Sequence, residues 1–181
     1  TCCAHQRGNA LSHTRGAHAH KVLCVCHWML GGVMTELVFD GPFNGSVAER
    51  VLTLWQELQM VYDMRGSSNR LTNLTLSMFF KGNDDWARFS GKAAESRSLV
   101  FVMRDICEAY SNGSERDQHR LVCLEKMCKI YDCCFRNDIF MPREEALQML
   151  ADCDHMSVHY NWLCKHSLEN GRLCYKYGYQ S

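Results

Sequence analysis

Proline is nearly missing from this 181-residue chain, which holds only Pro42 and Pro142. Long stretches therefore run uninterrupted, and helices are favoured over a many-turned β sandwich. Net charge is missing as well, because 20 lysines and arginines balance 20 aspartates and glutamates. That balance removes the usual electrostatic ground for nonspecific nucleic-acid or membrane attachment and leaves only local patches to consider. No apolar run reaches the roughly 18 to 20 residues of a membrane span. Lys21, His27 and Glu36 punctuate the most apolar segment, which reads as a buried core helix. The GxSxG, P-loop and dinucleotide glycine patterns are absent, so hydrolase, NTPase and Rossmann readings have no support. No internal repeat and no sustained heptad pattern occurs either, which excludes solenoids and coiled coils.

Cysteine, by contrast, is abundant at twelve residues. In a short secreted protein that count would suggest a disulfide framework. Thr1 to His20 is polar and histidine-rich, with no charged-then-apolar-then-small order of a signal peptide. The expectation is an intracellular protein, nuclear or cytoplasmic and not secreted. Cys107, Cys123, Cys128, Cys153 and Cys164 lie in helical patterns among Leu, Met and Ile, where reduced cysteine acts as a small hydrophobe. Asn44-Gly-Ser46, Asn73-Leu-Thr75 and Asn112-Gly-Ser114 match the glycosylation acceptor pattern, and in this context they read as turns or helix caps.

The length suits one domain with a real core. Residues 1–19 carry no hydrophobic period and read as a disordered or unrelated tail, 20–175 as a helical domain, and 176–181 as a C-terminal tail. From His20 to Phe39 the chain is apolar on most faces, with Gly31-Gly32 as a weak point or a close packing contact. Ser46 and Glu49 have the spacing of a capping box, which starts a helix running to about Arg65, with Gly66 placed to end it. Residues 71–80 alternate poorly and read as either a short strand or a helix. A polar loop from Lys81 to Gly91 holds Trp86 and Phe89. Lys92 to Tyr110 is helical, with Ala93, Ser96, Val100, Met103 and Cys107 at helical spacing. Asn112-Gly113 breaks the chain, and Ser114 with Asp117 starts a helix ending near Cys134. Pro142, Glu144 and Glu145 mark the first turn of a long helix that Gly171 closes. The fold class expected is mainly α, an irregular bundle of about five helices with short connections.

Candidate chemistry is sparse. Cys24, Cys26 and His27, with one or more of His5, His13, His18 and His20, offer zinc donors, although one residue between the cysteines is fewer than the usual two to four. A buried thiol pair beside a histidine tail explains the same residues. His155 and His159 lie four apart on one helix face, but Met156 stands where a metalloprotease helix would carry glutamate. A partly exposed histidine face is the alternative there. Lys92, Arg97 and Arg104 mark a basic edge that could touch nucleic acid or simply be solvated. No catalytic or cofactor-binding set emerges.

Four segments carry a family resemblance: the RLTNL-x-LSMF stretch from Arg70 to Phe79, the KAAE-x-R helix start from Lys92 to Arg97, the NGSE-x-x-x-H turn from Asn112 to His119, and His159-Tyr-Asn-Trp-Leu163. Together, over roughly residues 30–175, the chain resembles the repeated, transposon-derived open reading frames of dinoflagellate genomes. More distantly it is similar to the helical region of CACTA-like transposases. In such enzymes an RNase H-like core holds acidic residues that bind two metal ions for phosphodiester attack, and a helical region precedes the final acid. The resemblance implies that this chain corresponds to that helical region. It departs from the family pattern at His20 to His27, where an aspartate-containing segment is expected and no acid occurs, and again over Leu173 to Ser181. The resemblance thus implies a non-catalytic helical fragment that contacts DNA or partner subunits or self-associates, with no membrane role. The competing expectation is a small zinc-stabilised interaction module built on the N-terminal Cys and His residues.

Overall fold

The computed structural model describes residues 25–83, 85–137 and 140–176. Among them the chain forms five α-helices and no strand. In chain order these are α1 (25–39), α2 (Val47–Arg65), α3 (Ala93–Ala109), α4 (Glu115–Arg136) and α5 (Arg143–Glu169). The protein is a mainly α, bundle-like fold. Helices adjacent in sequence are adjacent in space, α2 on α3, α3 on α4, and α4 broadly on α5.

The central element is α1. A surface helix presents one apolar stripe, but a helix apolar all round must be enclosed. From Met29 to Val38 every residue of α1 is buried, Glu36 included. Gly31 and Gly32 are close packing contacts on two sides of it. A Cβ on Gly31 would lie 2.6 Å from the Cα and N of Arg88, and one on Gly32 would collide with the Tyr175 ring. The missing side chains let the 87–89 loop and the segment after α5 reach the helix. The loop is then fastened by a Phe89 amide bond to the His27 carbonyl at 2.9 Å and an Ala87 amide bond to Leu173 at 2.8 Å.

The capping box of α2 forms as its spacing predicts: the Ser46 amide donates to Glu49 Oε2 at 2.6 Å and the Glu49 amide to Ser46 Oγ at 3.4 Å. Gly66 ends the helix in the left-handed region at φ 60°. Ser114 caps α4, so two of the acceptor tripeptides end in helix caps. Residues 71–80, open between strand and helix, form neither a strand nor a full helix. They hold a single 3-10 turn, Leu76–Met78, between the buried anchors Leu71, Leu74 and Phe79. With no neighbouring strand to pair with, the backbone of Met78 and Phe79 instead accepts from the loop amides of Ser90 and Arg88.

In α3, Ser96, Val100, Met103 and Cys107 are buried as their spacing predicts, and Leu99, Val102 and Ile106 widen the stripe. Ala93 is exposed, because it lies in the first turn before the stripe meets the core. Helix α4 continues two residues beyond Cys134. Pro142 takes the cap position of α5 rather than the first turn, with extended ψ of 144°. Of the cysteines read as core residues, Cys107, Cys123, Cys128 and Cys164 are buried and Cys153 is half-buried; all nine described cysteines are free. Among the described residues no helix is long and apolar enough to cross a membrane.

Candidate functional site

Three polar constellations stand out. The first lies inside the bundle, where α1, α4 and the segment after α5 meet. Glu36 and Asp40 of α1 and its end, with Asp117 of α4, form an acidic trio. Three guanidiniums fill the space between them. Arg120 reaches Asp117 at 2.5 Å and Glu36 at 3.4 Å, Arg172 reaches Asp40 at 2.5 Å, and Arg116 lies 3.7 Å from Asp40 and 4.0 Å from Glu36. The Tyr175 hydroxyl donates to Glu36 at 2.6 Å, and the second Asp117 oxygen accepts the Asn112 amide at 2.8 Å. Burial pushes the Glu36 carboxyl up, while Arg120, Tyr175 and Arg116 pull it back. Among the buried side-chain atoms of this network, the Nε of Arg120 has no hydrogen-bond partner. The trio is thus committed to arginine.

The second constellation is an open cleft of about 580 Å³ between the start of α1 and the 81–91 loop. Its walls include Trp28, Trp86, Lys81, Arg88, His27 and Asp85. The Arg88 guanidinium lies 5.2 Å from the Trp28 ring centre and the Lys176 ammonium 4.8 Å from it. Trp86 is half-buried on the opposite part of the loop. Lys81 is exposed and anchored to the Ser77 carbonyl at 2.6 Å. The chemistry on offer is flat aromatic surface beside positive charge. Backbone hydrogen bonds to Leu173, Phe79, His27 and Met78 fasten residues 87–90 of the loop.

The third constellation is an imidazole and indole cluster where α4 meets α5. His119 Nδ1 faces His159 Nδ1 at 2.9 Å, and the ring centres are 4.7 Å apart. His155 meets His159 edge-on at 4.8 Å. Trp162 stacks on His119 at 4.1 Å with a 2° tilt, and His166 stacks on Trp162 at 4.7 Å. Neutral imidazole holds one proton, so one ring donates across the His119–His159 contact and the other accepts. Burial first, then the charges of His119, His155 and Lys126, lowers the His159 value below that of a free imidazole.

The residues singled out by sequence fall out differently. Cys24 and His5, His13, His18 and His20 lie outside the described residues. Cys26 is fully buried, its thiol pushed up to about 12 by burial. His27 turns away from it to Ser96 Oγ at 3.0 Å, and burial followed by Arg88 lowers its value. These two side chains thus have separate partners. His155 and His159 do share one face, and His119 joins them from α4, which sequence reasoning missed because it lies 40 residues from His159. Its one signal was the NGSE-x-x-x-H segment ending on His119. Of the basic edge, Lys92 stays exposed with Glu95 3.7 Å away, Arg104 pairs with Asp105 at 2.7 Å, and Arg97 lies 4.9 Å from the Phe135 ring centre.

Comparison with known proteins finds no matching family model, no similar curated protein and no similar solved structure.

Proposed function

We propose that the chain is a non-catalytic helical part of a transposase-like protein and that it holds DNA, with the Trp28–Trp86 cleft as its contact. The observation that carries this reading is the pairing of two indoles with Lys81 and Arg88 on a backbone-braced loop. Aromatic faces on which unpaired bases stack, beside cations that follow the phosphates, are the common means of binding single strands. A neutral chain gains little from overall charge, so its nucleic-acid contact has to be local. The family resemblance agrees with this. The non-catalytic part of the reading draws support from the acidic trio. A two-metal nuclease needs open carboxylates, whereas Glu36, Asp40 and Asp117 are occupied by Arg116, Arg120, Arg172 and Tyr175.

The test is quenching of intrinsic tryptophan fluorescence on titration with single-stranded and duplex oligonucleotides. Single strands should bind more tightly, and Trp86→Ala should weaken them about tenfold, since stacking contributes roughly 1–3 kcal/mol per base. Equal binding by Trp86→Ala, or cleavage of transposon-end DNA with Mg²⁺ or Mn²⁺, would overturn the proposal.

A subunit contact is a second reading, favoured by one feature. Leu147, Leu150, Val158 and Leu168 are exposed and fall on one side of α5 at 3.6 residues per turn. Sedimentation of the wild type and of Leu150→Glu with Val158→Glu tests it; a monomer in both removes self-association through this stripe.

A further inference from the structure

We propose that His119, His155 and His159 form a binding site for a divalent transition-metal ion of the imidazole-preferring class, such as Zn²⁺, Ni²⁺ or Co²⁺. Three observations on α4 and α5 carry it.

First, two helices aim ring nitrogens at one point. His119 Nδ1 and His159 Nδ1 face each other at 2.9 Å. A single shared proton now fills a gap that a metal ion fills in imidazole sites. With metal–nitrogen bonds of about 2.0–2.1 Å, two imidazoles on one tetrahedral ion have ring centres about 5 Å apart. The His119–His159 and His155–His159 centres are 4.7 Å and 4.8 Å apart. The His119–His159 pair needs little displacement, and His155 needs a turn of its ring.

Second, the three rings have the complementary constraints of a chelate. His119 is fixed in plane by the flat face of Trp162, which is backed in turn by His166. His155 is exposed and lies one helical turn before His159. Among the described residues no group of three donors is placed to hold a metal ion as the side chains stand, so the site requires the exposed His155 to turn toward His159 and complete the set. A rotamer change at the surface is a small cost.

Third, a carboxylate lies near the far nitrogen of His119, beyond hydrogen-bond distance but one side-chain adjustment away. Glu115 Oε1 lies 4.0 Å from His119 Nε2, one turn earlier on α4. Metal-bound histidines commonly direct their other N–H at a carboxylate, which fixes the tautomer. On binding, the proton between the two Nδ1 atoms moves to the Nε2 of its own ring and no proton need leave the protein. Three imidazoles leave a fourth position for water, the arrangement of open zinc sites.

The test is titration of the full chain with Co²⁺ in the presence of a non-coordinating reductant, read by visible absorption. Ligation by three imidazoles should give d–d bands without a thiolate-to-cobalt charge-transfer band, with quenching of Trp162 fluorescence, and Zn²⁺ should displace the cobalt. His155→Gln, at an exposed position that leaves the helix contact intact, should weaken binding at least about tenfold. His119→Gln and His159→Gln should do the same with unchanged helical circular dichroism. The proposal is overturned if no d–d bands develop, if a thiolate charge-transfer band dominates and so places the ion on cysteines, or if His155→Gln binds like the wild type.

Discussion

Arg120 decides much at the scale of single residues. It is 3% exposed and placed between Glu36 and Asp117, which are 4% and 2% exposed. Removing the cation from such a set leaves buried charge uncompensated, which costs about 3–5 kcal/mol. Urea unfolding of Arg120→Ala should show that loss, and adding Glu36→Gln should recover part of it by removing one uncompensated charge while keeping an acceptor for the Tyr175 hydroxyl. A loss under about 1 kcal/mol would show the network to be well solvated. The cysteines give a second residue-scale expectation. Burial pushes the thiols of Cys26, Cys107, Cys164 and Cys174 up to about 12 and that of Cys123 higher, so thiolate is scarce near neutral pH. Brief alkylation of the native protein, followed by mass spectrometry, should among the described cysteines label Cys134 first and Cys153 next, and leave those five unmodified until denaturant is added. Apart from Asp117 and Arg120, three apart on one helix, these partnerships could not be read from the sequence. Glu36 and Arg120 are separated by 84 positions and Glu36 and Tyr175 by 139. Their composition looks like any solvated charge until the bundle closes around them.

Among the elements, local signals were the legible part. The Ser46–Glu49 box, Gly66 and the Ser114 start are contacts within a few residues, and they form where the sequence places them. The 71–80 stretch was not legible. Its irregular pattern is set by three buried anchors and by the 88–90 loop lying against it, both of them tertiary features. Gly31 shows two effects in competition. Helix propensity alone would make Gly31→Ala stabilising by about 0.8–1 kcal/mol. The new Cβ, however, would meet the backbone of Arg88 and Phe89 at 2.6–2.7 Å, and backbone cannot move aside as a side chain can. Overpacking of this kind costs about 1–3 kcal/mol, so packing wins. Thermal unfolding should show Gly31→Ala to be less stable than the wild type, and its oligonucleotide affinity should fall because the same loop walls the cleft. A more stable variant would mean that the loop is free to lift from α1.

For the molecule as a whole, the helical bundle followed from few prolines, four periodic segments and one segment apolar on every face. The site did not, because Trp28 on α1 and Trp86 on the 81–91 loop line one cleft only once the loop docks in the closed fold. The basic edge of Lys92, Arg97 and Arg104 supplies cations as well, of which Lys92 stays exposed, Arg104 is paired with Asp105 and Arg97 lies over the Phe135 ring. Positive charge next to two indoles occurs around Lys81 and Arg88. The most direct test of that account is the salt dependence of single-stranded oligonucleotide binding. Each phosphate contact contributes about −0.7 to the slope of log K against log salt for single strands. Two cations predict a slope near about −1.4 for the wild type and about −0.7 for Arg88→Gln. Absence of binding, or the same slope in both proteins, would contradict the claim that this cleft holds DNA.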